Sequence, residues 1–353
     1  MHAARVVAHD VACVALLIAL GAAVPGRAQD AVHRVIIDTD FGLPPQDDGL
    51  ALALALNSPE LDILGITTVA GNFNLARANA DVLRMLEITR HEHIPVHPGA
   101  RRPLVHVKDA FATTHYGGWW SDDPPPAPPG GFAKKALEIE SAADFLIRTV
   151  MASRGTIEII AIGPLTNVAL AIQRQPAFAS SVKRMVIMGG AIAALPDGAG
   201  NITPNAEFNF WVDPEAARIV LRSGIPIELS ALNVSRKTAL TKPWYDRLVA
   251  ARTPLTQLIR ARMDSMFNAT PDRKLLMFDE VAVASLIDPT LVKTERLVVD
   301  VDIDHGINYG VSVGGPKPWP GAEGAHVVAV QHDLDWERFI TMFIDRVAKT
   351  PPQ

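Results

Sequence analysis

Short β-branched runs alternate along the chain with longer apolar runs at helical spacing. Val35-Ile36-Ile37 has the composition of a buried strand and ends in three polar residues, Asp38, Thr39 and Asp40. A turn with Gly42, Pro44 and Pro45 follows. The Leu/Ala run over 47–56 then predicts a helix whose first-turn acids, Asp47 and Asp48, suit the helix dipole. Further strands are predicted over 61–69, 94–96, 157–162, 184–188 and 225–229. Helices are predicted between them over 75–88, 141–151 with a Ser cap, and 166–173. Another is predicted from Asp213-Pro214-Glu215, with Asp as cap and Pro at the first position. This alternation predicts an α/β fold with a doubly wound, mostly parallel sheet. No internal repeat or composition break divides residues 29–353, so one domain is expected.

Two segments interrupt the pattern. Residues 101–135 carry His115, Trp119 and Trp120, followed by DDPPPAPPGG. Loops of this length are usually functional lids or disordered. A flap over a planar ligand is expected, with a Trp patch packed on the body as the alternative. Residues 195–209 form a Gly/Asn-rich stretch expected to be loop.

Composition changes the picture mainly at the start of the chain. With 353 residues, 48% hydrophobic and 20% charged, a large globular core is expected. Residues 1–28 read as a signal peptide: Arg5, an apolar segment over 11–24, a Pro-Gly break, and small residues at Gly26 and Ala28. The apolar segment is too short for a comfortable membrane span. Cleavage after Ala28 would remove Cys13, the only cysteine, and with it any disulfide or thiol chemistry. The remaining chain has 31 basic and 37 acidic residues and no Lys/Arg run to follow a phosphate backbone. An exported protein, periplasmic or secreted, is expected, with neither nucleic acid nor membrane as partner after cleavage.

The acids carry the candidate chemistry. Asp38, Asp40, Asp47 and Asp48 fall at the C-terminal end of a predicted parallel strand, where open α/β sheets bind ligands. Four such groups cannot all stay ionised together without a cation, and hard cations take oxygen ligands. A solvated Asp-rich turn is the plainer alternative. His91, His93, His97 and His106 lack zinc-site spacing and are read as surface residues. No Ser-His-Asp order and no Cys nucleophile competes for a catalytic role.

Six strings in order carry a family resemblance: VIIDTDFG…DDGLALALAL, GITTVAGN, AIGPLTNVALA, VIMGGA, NITPNAEFNFWVDPEAARIV and FDEVAVASLID. Together they resemble the inosine-uridine nucleoside hydrolase family over nearly all of the chain beyond the leader. The resemblance implies Ca²⁺-dependent hydrolysis of the N-glycosidic bond of ribonucleosides, giving free base and ribose. It implies that Asp40 is both metal ligand and general base. Asp48 would be a bidentate ligand, Asp279 a ligand from a late helix, and Ile162 a backbone-carbonyl ligand. Asp47, Asn72, Glu207, Asn209 and Asp279 would hold the ribose, with Asn201 near its 5′-hydroxyl, Met188 as a wall and Asp38 in support. A homodimer or homotetramer is also implied. The residue types suit the chemistry, because an acidic pocket stabilises an oxocarbenium-like transition state.

Two features depart from the family pattern. Six residues, Phe41 to Gln46, separate Asp40 from Asp47, where the pattern DxDPGxDD has three. The added residues either form a stiff bulge that leaves the carboxylates convergent or displace Asp40. Phe278 stands where family members place a His that protonates the leaving base. Stacking on Trp119 or Trp120, or His115, is then expected to activate the leaving group, with a tilt towards purines, unless the substrate differs. A non-catalytic binder of ribose-containing ligands on the same scaffold is the second reading. A metal-dependent phosphohydrolase is the third, and no Lys or Ser/Thr phosphate motif supports it.

Overall fold

In the computed structural model, the described residues are 32–349 except Asp109 and 117–120, and except the side chains of Ala112, His115 and Tyr116. They contain nine strands: β1 His33–Thr39, β2 Leu61–Thr68, β3 Val96–Pro98, β4 Ile157–Ala161, β5 Arg184–Met188, β6 Ile227–Ser230, β7 Val292–Val301, β8 Ser312–Gly315 and β9 His326–Leu334. These pair into one sheet in the order β3-β2-β1-β4-β5-β6-β9-β7-β8. From β3 across to β9 every neighbour is parallel. Only β7 runs antiparallel to its neighbours, β9 and β8. Parallel neighbours need crossovers, and helices in those crossovers cover both faces.

β1 shows how the sheet divides the core. Val35 and Ile37 belong to one fully buried cluster, while Ile36 between them belongs to another on the opposite face, as a period of two requires. The Asp47–Leu56 helix lies in the first cluster, and every residue after Asp47 is buried. It packs on the Asp279–Ile287 helix, buried along most of its length. A helix apolar all round belongs inside a protein, and two such helices side by side bring their acidic first turns together.

The predicted caps Ser141 and Asp213 are present, accepting from the N–H groups of Asp144 and Ala216 at the starts of the Ala142–Ala152 and Pro214–Leu221 helices. Asn74, not singled out in the sequence, caps the Leu75–Thr89 helix through Arg77 N. Some bounds move: β3 and β6 each start two residues later than the apolar runs suggest, because pairing with β2 and β5 sets the register. The loop expected over 195–209 runs into a short helix, Phe208–Val212. Within 101–135 a helix spans Ala110–Tyr116. The flap residues Trp119 and Trp120 and the side chain of His115 lie outside the described residues.

Two histidines read as surface residues are buried. His97 stacks on Phe145 with ring centroids 3.9 Å apart, and its Nδ1 lies 3.1 Å from Glu140 O. His106 Nδ1 lies 3.0 Å from Trp211 O. Each ring buries an apolar body while its nitrogen finds a backbone carbonyl, a contact spanning 43 and 105 residues that local pattern cannot show.

Candidate active site

β1 delivers Asp38, Thr39 and Asp40 to the C-terminal edge of the sheet, and all three are buried. Asp38 Oδ1 accepts from Thr67 Oγ1 at 2.5 Å and from Asn167 Nδ2 at 2.8 Å. Burial pushes its carboxyl up to about 6 against the pull of those two donors.

Asp40 is held by its surroundings. Its Oδ2 accepts from the Asn72 backbone N–H at 2.5 Å, and its Oδ1 is buried with no hydrogen-bond partner among the described residues. Glycines flank it because nothing larger fits: a Cβ would lie 2.1 Å from Asp40 Oδ2 at Gly71 and 2.8 Å from Oδ1 at Gly163. Burial raises Asp40 to about 7, the Asn72 N–H works against that shift, and the nearby Asp47 charge adds to it.

Asp47, Asp48 and Asp279 converge. One carboxylate oxygen from each lies within 4.8 Å of the others. Thr39 Oγ1 donates to Asp48 Oδ1, and Asn72 Nδ2 donates to Asp48 Oδ2 at 3.1 Å. Burial first, then the neighbouring carboxylates, push Asp48 and Asp279 well above the ordinary range. Asp40 stands outside this trio, tied to it by charge, with its carboxylate fixed by Asn72 and the two glycines. Three convergent carboxylates that resist ionisation alone have the donor chemistry of a hard divalent cation. The trio therefore fits such an ion.

The lengthened loop leaves the trio convergent. Arg262, from the Pro254–Ala269 helix, donates to Pro44 O. A Cβ at Gly49 would lie 2.6 Å from Gly42 O and 2.7 Å from Pro44 N, so the loop folds directly onto the first turn of the Asp47–Leu56 helix.

A pocket of about 270 Å³ opens beside these acids and includes Asp47 and Asp279 in its wall. Asn72, Asn201, Glu207 and Asn209 supply polar lining, and Ile162, Met188 and Phe278 apolar lining. Glu207 caps the Phe208–Val212 helix, accepting from Asn209 N at 2.8 Å and Phe210 N at 3.1 Å, and also from Gly190 N at 3.0 Å. Burial nonetheless raises its carboxyl to about 7. Asn209 Nδ2 donates to Met188 O at 3.3 Å and Ile162 O at 3.4 Å, and Asn201 Oδ1 accepts from Phe208 N at 2.9 Å.

Some lining residues escaped the sequence reading. Pro45, Gln46, Phe208, Leu275 and Leu276 complete the wall. Each lies within three residues of one the motifs single out, and that proximity was the available signal. Glu280 also escaped notice. It is buried beside Asp279 with both carboxyl oxygens unpartnered among the described residues, and burial, then the Asp47 charge, raises it well above the usual range. A second acid in the first turn of an otherwise apolar helix was its signal.

The chain is similar to known proteins over most of its length. Residues 35–341 match the inosine-uridine preferring nucleoside hydrolase family. The pyrimidine-specific ribonucleoside hydrolase RihB of Escherichia coli O9:H4 is 33% identical over 311 residues, covering 86% of this chain and 94% of that protein. Among solved structures, the plant nucleoside hydrolase PpNRh1 superposes with a TM-score of 0.77 at 29% identity, covering 91% of this chain and 100% of that one. A purine-preferring ribonucleoside hydrolase from Gardnerella vaginalis superposes with a TM-score of 0.72 at 26% identity, covering 89% and 98%. The acids at the strand edge, the pocket beside them and these likenesses agree: the chain belongs to the inosine-uridine preferring nucleoside hydrolase family, and it is an N-ribohydrolase.

Proposed function

We propose that the protein hydrolyses ribonucleosides to free base and ribose with calcium as cofactor and Asp40 as general base. The convergence of Asp47, Asp48 and Asp279 at the wall of a polar pocket carries this reading. When bound, the ion would supply the positive charge that keeps these acids ionised and lowers the pKa of water at the site. Asp47, Asp48 and Asp279 would hold it, with the Ile162 carbonyl as a further oxygen donor.

The remaining roles belong to the chain. Asp40, with one oxygen free of protein partners, takes the proton of the attacking water. Asp47, Asp279, Glu207, Asn72 and Asn209 orient the ribose hydroxyls, Asn201 serves the 5′ end, and Met188 closes one side. The carboxylates stabilise the oxocarbenium-like charge that grows as the C–N bond breaks.

Incubation with inosine, adenosine, uridine and a nucleotide, with and without chelator, tests the proposal. Reducing sugar released only without chelator is the expected result. Binding without turnover, or phosphate release, would refute it. Export with cleavage after Ala28 belongs to the same proposal, and sequencing the amino terminus of the exported protein tests it.

A further inference from the structure

Four carboxamide side chains line the pocket, and three are engaged within the protein. Asn72 donates to Asp48, Asn209 donates to two backbone carbonyls, and Asn201 accepts from Phe208 N. Gln46 differs. Its backbone N–H reaches Leu43 O at 3.3 Å, and its carbonyl accepts from Leu50 N at the start of the helix. Its side chain makes no cap hydrogen bond, and neither end of its amide has a partner among the described residues.

Gln46 is nevertheless well placed. Its stem packs on Gly42, where a Cβ would come within 2.7 Å of Gln46 Cγ, and the loop behind it is tied to Arg262 through Pro44 O. The side chain is half-buried in the pocket wall, beside Pro45 and facing a pocket that also includes Leu275, Leu276 and Phe278. Those four lining residues have no side-chain proton to give. A pocket wall with apolar side chains and one free amide suits the flat body and polar edge of a heteroaromatic base.

The chemistry sharpens this. When the C1′–N bond breaks, its electron pair leaves with the base, while the carbon gains hydroxyl from water whose proton passes to Asp40. In an oxo-base that pair spreads onto a ring carbonyl oxygen, so a donor there binds the transition state more tightly than the ground state. We propose that the Gln46 amide donates to the carbonyl oxygen of the departing base and makes the enzyme prefer oxo-bases to amino-bases. This inference rests on the ribonucleoside hydrolase reading.

Inosine and adenosine, an oxo/amino pair, provide the test. In the calcium-loaded enzyme, Gln46→Met should lower the inosine-to-adenosine ratio of kcat/KM by about tenfold to a hundredfold, mainly through kcat for inosine. Gln46→Glu, which keeps the shape but cannot donate when ionised, should lower it as well. Thermal unfolding checks that both variants are folded. An active wild-type enzyme whose ratio is unchanged in both variants overturns the role of Gln46 alone. A wild-type protein that releases ribose from no nucleoside overturns the parent reading and this inference with it.

Discussion

Asn72 and Asp48 are joined by a hydrogen bond of 3.1 Å from Nδ2 to Oδ2, which ties the loop after β2 to the first turn of the Asp47–Leu56 helix. The same residue holds Asp40 through its backbone N–H. Its side chain therefore orients one acid while its main chain fixes another. Asn72→Ala should remove one of the two donors to Asp48, with Thr39 remaining, and leave the Asp40 contact in place. Partners behind a metal ligand are worth about 10–100-fold in affinity, so calorimetric titration with calcium should show a loss of that size. Unchanged affinity would separate Asn72 from the cation site.

Asp40→Asn should lower kcat by about 10²–10⁴, the usual worth of a general base, while the variant keeps its fold. Asp40 is buried and raised to about 7, so its ionised form is costly without a cation. Chelated Asp40→Asn should consequently unfold no lower than chelated wild type at pH 8. Near-normal turnover in this variant would remove Asp40 as base.

The raised acids predict how stability follows pH in the cation-free protein. Asp38 is pushed to about 6, and Asp40 and Glu207 to about 7, in each case chiefly by burial. Between about pH 4 and these values the folded chain holds protons that the unfolded chain has lost. Their contribution is full below the unfolded values and disappears as pH rises through 6 and 7. Thermal unfolding in chelator should fall from pH 5 to pH 8, and saturating calcium should offset the fall by favouring the ionised forms. A flat profile in chelator would contradict the assignment.

Glu158 behaves oppositely, at the far end of the sheet from the pocket. Burial alone would raise its carboxyl, but Lys183 Nζ at 2.7 Å, His33 Nδ1 at 2.8 Å and Arg184 Nε at 2.6 Å outweigh burial and lower it to about 2. Its contribution is present above about pH 4.5 and is lost as pH falls through about 2. Its cationic partners are partly exposed and remain solvated without it, so Glu158→Gln should destabilise the fold in urea by about 1–3 kcal/mol while kcat stays close to wild type.

Much of this was legible where neighbours in sequence are neighbours in space. β5, Arg184–Met188, has the bounds its apolar run predicts, and the Asp213 cap and Pro214 start their helix as expected. The motif strings also placed Asn72, Ile162, Met188, Asn201, Glu207, Asn209 and Phe278 in one pocket wall. What escaped depends on distant contact. Asp47 joining Asp48 and Asp279 requires two buried helices to meet, and His106 is covered by a segment 105 residues away. The free amide of Gln46 could be recognised only once the engagements of the other three carboxamides were known.

The cation trio draws two members from positions 47 and 48 and the third from position 279. A chain cut short before residue 279 would retain the first six strands but lack the third acid. A cation held by this trio would therefore couple an early helix to a late one: losing the Asp279–Ile287 helix removes an acid and part of the buried core together.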